Sequence, residues 1–186
     1  ILNPDEFEMV HKEKLGEGQY GTAYKVMWRE RREYYCVKSI KGGRRVCSEE
    51  QEREIRTLMK LDHPNIIEFF GTFRHEGEMY IVTELCTHGT LKSLIEKHKS
   101  EHTSIPNGEI WKYLIQMMLG LHEFHTNSIV HFDIKPANIF LGEANTIKIG
   151  DVGSAKELSE MHTHTMEAST TFRYKAPQFF GDVQTR

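Results

Sequence analysis

The chain of 186 residues carries 24 basic and 27 acidic side chains, a formal net charge of −3 with histidines neutral, and is 38% hydrophobic. That is enough apolar material for one domain or two small lobes, and the near balance of charge excludes wholesale nucleic-acid binding. No apolar run reaches the roughly 18 residues of a membrane span, Ile1–Asp5 does not read as a signal peptide, and the widely spaced Cys36, Cys47 and Cys86 read as free thiols. An intracellular protein, cytoplasmic or nuclear, without membrane or nucleic-acid partners is the expectation.

The first half alternates β-branched and aromatic runs with Gly-rich breaks. Phe7–Leu15, Tyr20–Trp28, Glu33–Ile40, Ile66–Phe73 and Met79–Glu84 read as five strands. One helix interrupts them. Ser48 with Gln51 three residues on is a capping-box start, Ile55, Leu58 and Met59 form an apolar stripe, and His63-Pro64-Asn65 stops it. The period then changes. Leu91–His98 reads as a short helix and Lys99–Pro106 as a polar loop. Over Glu109–Phe124 the set Ile110, Leu114, Met117, Met118, Leu121 and Phe124 keeps helical spacing, with Met117-Met118 expected in the core. Short apolar pieces follow between polar loops, and Ser154–Thr171 is rich in Ser, Thr and His. A strand-rich lobe joined to a helical lobe near Leu85–Gly89 is the expected architecture.

Gly16-Glu17-Gly18-Gln19-Tyr20-Gly21 is a G-x-G-x-x-G run followed by Ala23. Glycines let backbone amides approach phosphate oxygens. A dinucleotide fingerprint needs a helix after the glycines, whereas Thr22–Trp28 is strand-like, and no Gly-Lys-Ser/Thr follows. A hairpin over phosphates fits, as does an ordinary Gly-rich turn. Lys38 ends a strand run, as an edge lysine or as a phosphate ligand held by a carboxylate. Glu54 is the candidate for that carboxylate, while Glu49, Glu50 and Glu52 read as a solvated face. His131-Phe132-Asp133-Ile134-Lys135-Pro136-Ala137-Asn138 packs an acid, a cation and a carboxamide into one loop. That is the inventory for holding a hydroxyl, a transferring phosphoryl group and a metal ion. Asp151 before Val152-Gly153 is either a turn residue or a second metal carboxylate. His162-x-His164 lacks further ligands nearby and reads as a solvated loop.

In order and spacing these motifs resemble the eukaryotic protein kinase domain over essentially the whole chain. The loop Lys-Pro-Ala-Asn-Ile-Phe-Leu is similar to the NIMA-related and Wee-like groups of serine/threonine type. The resemblance implies a two-lobed α+β fold. Residues 1–84 would form an N-lobe with a five-stranded antiparallel sheet and one helix, 85–89 a hinge, and 90–186 an incomplete, mainly helical C-lobe. It implies transfer of the γ-phosphoryl of ATP to a protein Ser/Thr hydroxyl, with Mg²⁺. Gly16, Glu17, Gly18, Gln19, Tyr20 and Gly21 would cover the phosphates, and Lys38, paired with Glu54, would hold them. Adenine would lie between Ala23 and Cys36 above and Phe140 below, beside Thr83, with backbone contacts from Glu84 and Cys86. Asn138 and Asp151 would coordinate the metal. Asp133 would accept the hydroxyl proton, Lys135 would neutralise the moving charge, and Thr171 would brace both.

Four departures from the family pattern qualify this. Phe132 replaces an arginine that pairs with an activation-loop phosphate, so weak or absent dependence of activity on phosphate among Ser154–Thr171 is expected. Val152 replaces a phenylalanine stacked with His131 and Leu58, a volume loss of about 1 kcal/mol or more if unfilled. Gln178 replaces a glutamate that clamps the loop. Family domains also continue beyond Arg186. The chain is therefore expected to be a truncated domain with an open face on its long helix, an aggregation or partner surface. A pseudokinase-like module that binds nucleotide or a partner without transfer is the alternative.

Overall fold

A computed structural model describes residues 1–18, 21–40, 49–159 and 174, with the backbone alone at Gly18 and Glu50. The expectations placed on Gln19, Tyr20, Cys47, Ser48, His162, His164, Thr171 and Gln178 lie outside the described residues.

Strands β1 (Glu13–Gly18), β2 (Gly21–Trp28), β3 (Glu33–Ile40), β4 (Phe69–His75) and β5 (Glu78–Glu84) form one antiparallel sheet in the order β1-β2-β3-β5-β4. The expected first strand is corrected. Phe7 lies before the sheet, meeting Trp28 through an isolated bridge, and pairing starts only at Glu13. A 3-10 turn at Pro4–Glu6, nucleated by Pro4 and capped by Asn3, bends the chain before it can extend. Likewise β4 starts at Phe69 rather than Ile66, because Ile67 N–H donates to Ile149 O and Ile149 N–H to Asn65 O, a bridge to β8 outside the sheet.

Alternation along each strand sends neighbouring side chains to opposite faces. One face carries Cys36, Lys38 and Thr83 into a cleft. The other carries Val26, Trp28, Tyr35, Val37, Phe73, Tyr80 and Val82 into a second core with Phe7 and Met9. Residues 1–11 cover that core as a strap, fastened by Leu2 N–H to Thr72 O, Glu8 N–H to Met27 O and Arg29 N–H to Glu6 O. Phe73 is fully buried and stacked between Phe7 at 4.7 Å and Tyr80 at 5.1 Å.

Helix α1 (Glu49–Lys60) buries Glu54, Thr57 and Leu58, and Leu61 just beyond, at i, i+3, i+4 and i+7 spacing. The expected stripe is corrected at Met59, which is 70% exposed on the opposite side. Helix α2 (Leu91–Ser100) starts at a capping box between Thr90 and Ser93 and runs two residues past His98. Helix α3 (Asn107–Thr126) lies on the main core through Tyr113, Gly120 and Phe124. Gly120 sits where a Cβ would stand 2.8 Å from Ile149 Cδ1, so the helix is pressed against its neighbour at that point. Met118 is 62% exposed, which corrects its place in the core, and Ile110, Trp111, Leu114, Ile115 and Leu119 are exposed with it. The buried face of α3 is the narrow Tyr113–Gly120–Phe124 line, and Met118 lies outside it. Short hairpins complete the described part: β6 (Ile129–Val130) pairs with β9 (Lys156–Glu157), and β7 (Ile139–Leu141) with β8 (Ile147–Ile149).

Truncating Phe73 to Ala removes the central ring of the strap-covered core. We expect a loss of about 3–5 kcal/mol of unfolding free energy, measured by urea denaturation. A loss below about 1 kcal/mol would show that the strap packs without it.

Candidate active site

The sheet, α1 and the β7–β8 region enclose a cleft of about 400 Å³. Gly16, Glu17, Gly21, Ala23, Cys36, Lys38, Glu54, Thr83, Glu84, Cys86, Asn138, Phe140 and Asp151 line it, so candidates scattered over most of the chain converge on one volume. Its wall is mostly apolar with a few polar groups, as small-molecule sites are. Gly18 pairs with Gly21 across the β1–β2 turn. Gly21 has φ +150°, and a Cβ there would fall 1.8 Å from Ser39 O, so no other residue fits this approach of β2 to β3.

Three ions from three elements meet at Lys38. Its Nζ donates to Glu54 Oε1 at 2.7 Å and to Asp151 Oδ1 at 3.2 Å. Burial opposes the lysine charge, but the Glu54 and Asp151 carboxylates outweigh it and its pKa rises above 10.5. Glu54 is only 6% exposed and contributes from the buried stripe of α1. Asp151 adopts a left-handed φ of 55° after Gly150, where a Cβ would meet Phe140 Cε2 at 2.7 Å.

The loop before β7 is built around Asp133. Lys135 precedes proline, which restricts it to extended backbone, and Pro136–Asn138 then forms a 3-10 turn closed by Asn138 N–H to Lys135 O at 2.9 Å. This folds Lys135 and Asn138 back on the acid. Asp133 Oδ2 accepts from Lys135 Nζ at 2.6 Å and from Asn138 Nδ2 at 3.1 Å, and Asn138 Nδ2 also donates to Asp133 O at 2.9 Å. The Asn138 amide oxygen is left for another partner. Asn138 N and O also tie the turn to Lys135 and Gly150, and Gly150 precedes Asp151.

His131 joins the two halves of the site. Asp133 N–H donates to its Nδ1 at 3.2 Å, so its Nε2–H is the donor to Gly150 O at 3.0 Å. Burial pushes its pKa below 6.5, against the Gly150 carbonyl and the Asp151 and Asp133 charges. Between His131 and Asp133, Phe132 is held at φ 63°, a conformation costing a bulky residue about 1–3 kcal/mol. Val152 is 1% exposed, Leu58 4% and His131 2%, so the smaller side chain is enclosed.

The Asn138 carboxamide oxygen and the Asp151 carboxylate form an oxygen-only donor pair. That suits Mg²⁺, which is typically held by one or two carboxylates with phosphate and water completing its shell. Among the described residues there is no cluster of three or more His, Cys, Asp or Glu that could hold a metal alone. The donor set therefore fits a metal that arrives with a phosphate ligand.

Several cleft residues escaped the sequence reading. Leu15, Ile67 and Ile81 line the cavity as ordinary strand and loop apolar residues, indistinguishable from core in the sequence. Asn65, read as a helix stop, is 6% exposed and donates to Gln116 Oε1 at 2.9 Å and Ile147 O at 3.0 Å, bolting the end of α1 to α3 and β8. Lys148 escaped too, and bonds Glu84 at 2.8 Å. The placement of these groups is visible only once the chain is folded.

Two tests follow from these protonation states. A histidine with a folded pKa below 6.5 stays neutral in the fold while the unfolded chain takes up a proton. Its contribution is thus intact above 6.5 and lost as pH falls below that value. From pH 6.5 to 5.5 wild-type stability should fall more steeply than that of His131→Leu, by up to about 1.4 kcal/mol per pH unit; parallel urea titrations of the two proteins would count against it. Burial first, and then the Glu84 charge, push the Cys86 thiol up to about 12, and burial also raises Cys36. Both should be thiols at pH 8, alkylated by iodoacetamide at least ten times more slowly than free cysteine. Peptide mass mapping checks this, and labelling at the free-thiol rate would refute it.

Comparison with known proteins adds the family. The sequence profile described as Protein kinase domain matches residues 9–185. The chain is 31% identical over 183 residues to the membrane-associated tyrosine- and threonine-specific cdc2-inhibitory kinase wee-1.3 of Caenorhabditis elegans, covering 97% of this chain and 26% of that protein. It is 35% identical over 152 residues to the serine/threonine-protein kinase Nek1 of Mus musculus, covering 81% and 12%. It is 34% identical over 169 residues to the probable serine/threonine-protein kinase nek2 of Dictyostelium discoideum, covering 87% and 40%. The chain thus spans well under half the length of these relatives. With the profile match and the ordered cleft agreeing, the chain belongs to the eukaryotic protein kinase domain family.

Proposed function

We propose that the chain is a catalytic kinase domain that transfers the γ-phosphoryl group of ATP to a serine or threonine hydroxyl of a protein. The observation that carries this is the Lys38–Glu54–Asp151 ion cluster in one cleft with Asn138, whose side chain is hydrogen-bonded to Asp133, the partner of Lys135. Phosphoryl transfer asks a protein mainly for positioning and for charge neutralisation. Lys38 would take the nucleotide phosphates, with Glu54 keeping its ammonium in place. Asn138 and Asp151 would hold Mg²⁺, which when bound neutralises phosphate charge. The backbone of the Gly16–Gly21 turn would lie over the phosphates, and that of Glu84 and Cys86 along the base between Ala23, Cys36 and Phe140.

Asp133 then orients the incoming hydroxyl and accepts its proton, and Lys135, already 2.6 Å from Asp133, neutralises charge on the group in flight. Thr171 is proposed to brace the pair. The printed names of the relatives share threonine as acceptor, which supports the hydroxyl class, and the protein substrate comes from the same likeness. Because Phe132 occupies the place of a phosphate-binding cation, we propose that this cleft is assembled without loop phosphorylation. The ion cluster is complete as the chain stands, which favours transfer over a module that only binds.

Labelling with γ-³²P-ATP and Mg²⁺ on a basic protein substrate tests the reading. Wild type should incorporate label, and Asp133→Asn should lose at least about a hundredfold of the rate while keeping the nucleotide-induced thermal shift. Equal background labelling by both proteins would sink the transfer reading and leave binding alone.

A further inference from the structure

Glu84 closes β5 and belongs by its backbone to the nucleotide cleft, but its carboxylate is committed elsewhere. Its Oε1 accepts from Glu68 N–H at 2.7 Å and from Lys148 Nζ at 2.8 Å. The Glu84 N–H in turn donates to Glu68 O at 3.0 Å, so the two residues form a closed ring of hydrogen bonds. Glu84 and Lys148 side chains are 23% and 18% exposed, which sets this pair apart from freely solvated pairs such as Lys92–Glu96 at 61% and 63%. Lys148 sits on β8 opposite Phe140, the residue placed under the base, yet does not itself line the cleft. One ammonium therefore joins the last strand of the sheet to the hairpin that carries the cleft floor.

We propose that Lys148 is a positioning residue for nucleotide binding: it clamps the Glu84 carboxylate to β8 and thereby fixes the Glu84–Cys86 backbone at the spacing from Phe140 that a base requires. The inference rests on the nucleotide reading of the cleft. Two donors on one carboxylate oxygen lock its rotamer, and the charge-assisted bond adds a side-chain tie to the backbone bonds Ile67 N–H to Ile149 O and Leu141 N–H to Gly89 O that join the same two parts. Loss of the cation leaves a largely buried carboxylate with one neutral donor. That carboxylate turns toward water, the Glu68 N–H is released, and binding a nucleotide then has to order the segment first. Glu54 reaches Lys38 from a separate helix, so the chemistry itself is untouched.

The test compares wild type, Lys148→Met and Lys148→Arg by amide hydrogen exchange without nucleotide and by steady-state phosphorylation. In Lys148→Met the Glu68 and Glu84 amides should exchange at least tenfold faster while Val37 and Ile81 in mid-sheet stay protected. KM for ATP should rise about fivefold with kcat within twofold, the signature of lost preorganisation. Lys148→Arg should restore both. Unchanged exchange at Glu68 and Glu84 overturns the clamp whatever the kinetics. Faster exchange with KM unchanged in an active enzyme overturns its role in binding, and so does a fall in kcat that Lys148→Arg fails to repair. If wild type binds no ATP, the nucleotide reading falls separately, and the exchange arm alone decides whether the clamp exists.

Discussion

A largely buried ammonium cannot stand alone, and Lys38 makes that the organising constraint of the fold. Its desolvation has to be offset by anions, and Glu54 and Asp151 reach it from α1 and from the turn after β8. Satisfying one cation therefore fixes a helix against a sheet and both against the loop region. Glu54 lies on the buried stripe of α1 with Thr57 and Leu58, so rotation of the helix that lost the ion pair would also expose apolar surface. Packing and charge select the same helix orientation. The group proposed to hold the nucleotide phosphates is thus the one that joins these elements.

Around that point one apolar core runs from Ile40, Leu58 and Ile81 to Phe124, Ile139 and Ile149, and polar contacts cross the same middle beside it. Asn65 binds Gln116 and Ile147, Glu84 binds Lys148, and Lys60 at the end of α1 binds Glu157 on β9 at 2.6 Å. These differ in strength. The Lys60–Glu157 pair is 43% and 30% exposed and is worth at most about 1 kcal/mol, whereas Asn65 is buried and its loss would strand the Ile147 carbonyl. Polar ties of this kind are directional. They hold orientation and distance between the elements that line the cleft.

Two of the eight described non-glycine residues with positive φ lie where the chemistry is proposed. Phe132 and Asp151 both take left-handed backbone, and each sits beside a hydrogen bond that keeps it there: Asp133 N–H to His131 Nδ1, and Gly150 O to His131 Nε2–H. His131 is the shared member, a buried neutral ring holding two distorted turns in register. Its role is legible only in three dimensions, because in the sequence it is one of 11 histidines.

The sequence by itself determined which site candidates the chain carries and their order. Lys38, Glu54, Asp133, Asn138 and Asp151 are separated by distances that chance rarely assembles, and local rules such as proline after Lys135 already bend the loop toward the acid. Strand alternation puts Cys36 and Lys38 on a common face, and the β3–β5 register adds Thr83 to it. Tertiary structure decided the rest. Periodicity shows that a residue is apolar on a helix, but burial depends on what the helix meets. Met59 and Met118 are therefore exposed, while Phe7 closes a second core from outside the sheet. Asn65, Lys148 and Gln116 are ordinary polar residues until elements distant in the chain give them partners, and a long-range partner leaves no local mark on either residue that makes the bond.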